Sequence, residues 1–132
     1  MQTNVAIPVG LRLLRWLGRI LTVLVFLLWG AFFVEHVEAW LIRPWPATPP
    51  LRVWLAQGLH FAVLAGLALA LWRVKPGAWV VAVSALLFFG TVAGPRFAEF
   101  YLLTTAPVGL LILAERQIHR RVGPAGASPG VT

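Results

Sequence analysis

Four stretches of this chain stay apolar for long enough to cross a lipid bilayer, and that pattern restricts its fold more than any other feature. They run from about Leu17 to Leu41, Leu51 to Trp72, Ala78 to Ala93 and Phe97 to Ala114. A helix needs roughly 20 mainly apolar residues to cross a hydrocarbon core about 30 Å thick. In lipid the backbone must satisfy its own hydrogen bonds, which a helix does within one segment. Composition points the same way: 60% of residues are hydrophobic, 11% are charged and mean hydropathy is +0.85. A soluble domain carries about 25% charged residues, so a water-facing surface could not be covered here. The expected fold class is an all-α membrane protein with four transmembrane helices in an antiparallel bundle. It forms one domain over residues 1–122, followed by GPAGASPGVT (123–132), which has little to bury and is expected to be a disordered tail.

The breaks between spans are chemically distinct. RPWPATPP (43–50) holds four prolines, which lack amide donors and force a turn. RVKPG (73–77) joins charge to Pro-Gly, and AGPR (93–96) is short enough to make a tight hairpin of the last two spans.

Lysine and arginine then set orientation. Arg12, Arg15, Arg19, Arg73, Lys75, Arg116, Arg120 and Arg121 fall on one side, against Arg43, Arg52 and Arg96 on the other. The positive-inside rule places both termini in the cytoplasm, and the expected location is the bacterial cytoplasmic (inner) membrane, multi-pass. Trp16, Trp40, Trp45, Trp54, Trp72 and Trp79 sit near span ends, as an interfacial aromatic belt requires. A cleaved leader is not expected, because no A-x-A site follows the first apolar run. Arg12, Arg15 and Arg19 share one helical face, with Leu11, Leu14, Leu17 and Leu21 largely opposite, which suits a snorkelling, interfacial start to the first span.

Several function classes lose their chemistry at this stage. The chain has no cysteine and no aspartate, which removes thiolate metal sites, cysteine nucleophiles and aspartyl dyads. It also lacks a P-loop, G-x-S-x-G and G-x-G-x-x-G, so the expectation is a non-enzymatic protein without a cofactor. The net charge of +7 lies at span ends, where it sets topology, and not on a solvated face fit for nucleic acid. The partners open to such a chain are the lipid bilayer and a second copy or another membrane subunit.

The candidate functional or structural residues gather towards the outer side: Glu35, His36, Glu38, Arg43, Arg52, Gln57, His60, Arg96 and Glu99. Ionisable groups are rare within spans and usually have a reason. At 1.5 Å per residue, Glu35 lies about 9 Å below the end of the first span, Glu38 about 5 Å, and His60 about 14 Å below the start of the second. Three acids facing three arginines suggest pairing that ties helices together, with Glu35 near Gln57 or His60 and His60 hydrogen-bonded to a neighbouring helix. One alternative is a proton or ion path through Glu35 and His60. Its cytoplasmic half would have only Thr22, Ser84, Thr104 and Thr105 to use. Another is a metal or haem redox subunit, the haem held by His36 and His60. For a metal, E-H-x-E does not place a Glu and a His on one face.

Two further features concern packing. Gly58, Ala62 and Gly66 repeat at four-residue spacing on one face of the second span, a pattern suited to close helix contact. Pro107 in the fourth span frees the Leu103 carbonyl and should bend that helix.

WGAFFVEHVEAW (29–40), QGLHF (57–61), LWRVKPG (71–77) and TAPVGLLIL (105–113) together make the chain resemble small bacterial four-helix membrane families known only as domains of unknown function. The resemblance covers about residues 12–121. It implies the four-helix architecture and brings no catalytic residue with it. The glycine-rich first-span signature expected of redox-associated four-span families is missing. The overall expectation is an accessory or structural membrane subunit.

Overall fold

A computed structural model describes residues 7–42 and 48–122. Arg43 and the tail at 123–132 lie outside the described residues. The elements are α1 (Val9–Val37), α2 (Leu51–Trp72), α3 (Val74–Val92) and α4 (Phe97–Val122), and α1 runs on through a π-helical stretch at Glu38–Ile42. All four helices are long and apolar enough to cross a membrane. The packed pairs are α1–α2, α2–α3, α3–α4 and α4–α1, which makes an antiparallel up-down-up-down bundle.

The boundaries depart from expectation where local chemistry outweighs composition. α3 begins at Val74 and not near Ala78, because Arg73 alone is extended (φ −130°, ψ 91°) between two helices. Pro76 then falls in the first turn of α3, where a missing amide costs no helical hydrogen bond. The reversal needs close approach of backbones. A Cβ on Gly77 would collide with the Ala70 backbone, and one on Gly66 would meet the Val81 nitrogen at 2.9 Å. Of the small residues of α2, Gly66 is therefore packed against α3, while Gly58 has nothing within 4 Å. At the other end α3 and α4 join through a 3₁₀ turn at Gly94–Arg96, with Gly94 at φ +53°, a left-handed conformation that suits glycine. α4 continues through Pro107 and past Ala114 to Val122, and α1 starts as early as Val9.

The core holds Val25 and Trp29 of α1, Val63, Leu67 and Ala70 of α2, Val81, Ala85 and Phe89 of α3, and Val108, Leu111 and Ala114 of α4. Outward positions are equally apolar: Leu24 and Leu27 on α1, Leu55 and Phe61 on α2, Leu102 on α4. A helix apolar on every side belongs in lipid. Polar groups inside the bundle are mostly spent on their own helix. Thr22 donates to the Gly18 carbonyl at 2.7 Å and Ser84 to the Val80 carbonyl at 2.5 Å. A buried bond between side chains joins α1 to α4: Trp29 Nε1 donates to Thr104 Oγ1 at 2.9 Å, and Thr104 donates in turn to the Phe100 carbonyl at 2.7 Å.

Candidate functional site

Residue depth follows from how the helices are layered. Phe33, His60 and Phe88 form one layer, with His60 edge-on to Phe33 at 5.3 Å and stacked on Phe88 at 4.7 Å. At 1.5 Å rise per residue, α3 ends about 6 Å beyond that layer, whereas α2 reaches about 13 Å beyond it. The α1–α2 arm therefore stands about 7 Å above the Gly94 turn. At about 28 Å, α3 itself matches the hydrocarbon thickness.

That layering moves the acidic residues. Glu35 lies about 3 Å below the end of α3, and Glu38 slightly above it, both shallower than the length of the first span alone suggested. Both are exposed, and they share an outward face with Leu27, Ala31 and Val34. Among the described residues Glu35 has no hydrogen bond or ion pair, and it does not meet Gln57 or His60. Arg96 and Glu99 approach at 3.9 Å on one exposed helical turn, a geometry that ties no two helices together. Arg52 is exposed on the projecting arm. Contacts between helices include the Trp29–Thr104 bond, the glycine approaches and a cluster of rings.

Gln57, His60 and His36 behave differently, because they line a cavity of about 280 Å³ at this end of the bundle. The buried Trp29, His60 and Phe89 line its inner part; Phe32, Phe88 and Phe100 add further rings, and Ala56, Ala93 and the exposed Val92 complete the lining, with Val92 marking the open side. The rings brace one another. Trp29 packs on Phe89 at 5.0 Å and edge-on to Phe100 at 5.8 Å and His60 at 6.1 Å. The Thr104 bond fixes the Trp29 indole from below.

Two polar atoms of residues that line it are buried, with almost no accessible surface, and have no hydrogen-bond partner among the described residues: Gln57 Oε1 and His60 Nε2. His60 itself is 3% exposed. A buried polar group without a partner costs about 1–3 kcal/mol, and native proteins carry few of them. Neither atom is accessible from the cavity as the side chains stand, so a side-chain rotation must precede a hydrogen bond from a guest. His36 is committed: its Nδ1–H donates to the Phe32 carbonyl at 2.7 Å. Among the described residues no three His, Asp or Glu side chains converge as metal ligands would.

Sequence reasoning picked out Gln57 and His60 as polar residues in an apolar span. It did not pick out Trp29, Phe88, Phe89, Phe100 or the role of Thr104. Aromatics in an apolar run carry no signal of their own. The one available hint is spacing, since Phe89 and Phe100 flank a hairpin short enough to bring them together. No family model matches the chain, and no curated protein or solved structure is significantly similar to it.

Proposed function

We propose that this is a non-enzymatic, multi-pass membrane subunit that holds one small, flat, lipid-soluble molecule in the aromatic cavity. The observation that carries the reading is the ring-lined cavity, two of whose lining residues, Gln57 and His60, each hold a buried polar atom without a partner among the described residues. A turn of either side chain presents that atom to the guest: Gln57 Oε1 can only accept, so the guest carries a hydroxyl or another donor, and His60 Nε2 can bond to the same group or a neighbouring one. Flat rings suit walls made of tilted and edge-on aromatics. The volume admits about one substituted ring, at the small end of ligand sites. Val92, on the open side, ends α3, the helix whose length matches the hydrocarbon core, which puts the cavity within reach of a molecule dissolved in the membrane.

A proton path is less well supported, because below His60 the hydroxyls of Thr22, Ser84 and Thr104 are already bonded to carbonyls of their own helices. The eight-to-three arginine and lysine asymmetry favours termini in the cytoplasm, and with it a place in the bacterial inner membrane. A reporter fused after Gly123 should then read cytoplasmic.

Equilibrium dialysis of the detergent-solubilised protein against a short-chain substituted hydroquinone tests the binding reading. One site per chain is expected, weakened about tenfold or more by Gln57→Leu. Uptake equal to that of empty micelles, or unchanged in both Gln57→Leu and His60→Leu, would refute it.

A further inference from the structure

The opposite end of the bundle carries a second concavity, where α3 begins and α4 runs on past the apolar core. It is a groove of about 870 Å³ between those two helices. Its floor is apolar: Ala78 and Ala82, one turn apart on α3, face Ile112 of α4. Its rim is cationic. Lys75 stands on α3, with Arg116 and Arg120 one turn apart on α4. Among the described residues none of the three cations meets a carboxylate, and Glu115 is the one acid on the groove. Trp79, 74% exposed, lies between the charged rim and the apolar floor.

We infer that this groove binds an acidic phospholipid, with the phosphate on Lys75, Arg116 and Arg120 and one acyl chain along Ala78, Ala82 and Ile112. Charge complementarity selects the headgroup: three uncompensated cations at a membrane surface attract an anionic lipid, each contributing to the preference. Shape selects a lipid over a free anion. Two alanines opposite one isoleucine leave a trough leading inward from the cations, which a phosphate alone would not fill. Depth agrees, because Lys75 is two residues beyond the extended Arg73 that ends α2, at the edge of the slab set by α3. An indole at that level is the side chain expected at the headgroup boundary.

The test is native mass spectrometry of delipidated protein in a non-ionic detergent, offered phosphatidylglycerol and phosphatidylcholine in equal amounts. A preference for phosphatidylglycerol of about tenfold or more is expected. The triple change Lys75→Gln, Arg116→Gln, Arg120→Gln should abolish it, and these exposed positions leave the core intact. The matched change Arg12→Gln, Arg15→Gln, Arg19→Gln should leave it in place. Ala82→Trp, which fills the trough without altering charge, should reduce binding of both lipids, with circular dichroism confirming the fold. Equal binding of the two lipids, a preference that survives the Lys75 triple change, or one lost with the Arg12 set would overturn the inference. Complete displacement of lipid by millimolar inorganic phosphate would likewise overturn it, by showing a free-anion site.

Discussion

Thr104→Val removes one hydroxyl and almost no volume, so it isolates the buried side-chain hydrogen bond that joins α1 to α4. In the native protein Trp29 Nε1 donates to Thr104 Oγ1 at 2.9 Å, with Trp29 8% exposed and Thr104 fully buried. Valine leaves the indole N–H with no acceptor. The Phe100 carbonyl, which also accepts from Thr104 Oγ1, keeps its helical amide partner and loses little. An orphaned buried donor costs about 1–3 kcal/mol, whereas side-chain hydrogen bonds within membrane bundles average about 0.6 and reach about 1.7 kcal/mol. About 1 to 1.5 kcal/mol is the expected loss, and Thr104→Ser should recover most of it. Trp29→Phe costs more, since it also removes ring volume from contact with Phe89 and Phe100. The combined Trp29→Phe, Thr104→Val variant separates the two terms, and its coupling should be about 1 kcal/mol. Unfolding in mixed micelles with rising sodium dodecyl sulfate, followed by far-ultraviolet circular dichroism, supplies all four values. A coupling indistinguishable from zero would refute the view that this bond fixes α1 against α4.

Two further predictions use the same unfolding assay. Gly77→Ala should destabilise by about 1–3 kcal/mol, because its Cβ collides with the Ala70 backbone. Gly58→Ala, with nothing within 4 Å, should be neutral or stabilising by up to about 1 kcal/mol; equal effects would remove the close-approach explanation of the α2–α3 hairpin. Glu35→Gln should change stability by less than about 0.5 kcal/mol, as substitutions at exposed positions without partners usually do; a loss above about 1 kcal/mol would restore Glu35 to a pairing role.

How much of this could be read from the sequence depended on whether the signal was local. The ends of α2 follow from Pro50 on one side and the charged Arg73 on the other, and apolar length alone identified all four helices. The start of α3 was obscured because Pro76 and Gly77 look like helix breakers. In fact one sits in a first turn and the other permits contact with Ala70. The polar ERQIHRRV segment lies beyond the apolar run, and it continues α4 as helix to Val122. The length of the first span alone makes Glu35 look deep, whereas its level relative to the bundle depends on where α3 ends, on another helix. Gln57 and His60 stood out correctly as unusual, but their cavity is built by Trp29, Phe89 and Phe100, brought together only by tertiary packing.

The most direct measurement of the central claim is the small-molecule content of the protein purified in a mild detergent, beside that of Ala56→Trp. Ala56 lines the aromatic cavity, so an indole there occupies the guest's place while the bonds of the bundle remain. Solvent extraction and quantitative mass spectrometry should find, apart from phospholipid, close to one ring-bearing molecule with a hydrogen-bond donor per wild-type chain. The variant should melt at a similar temperature and release almost none. A wild-type protein that releases no such molecule, or a variant that releases as much, would contradict the account.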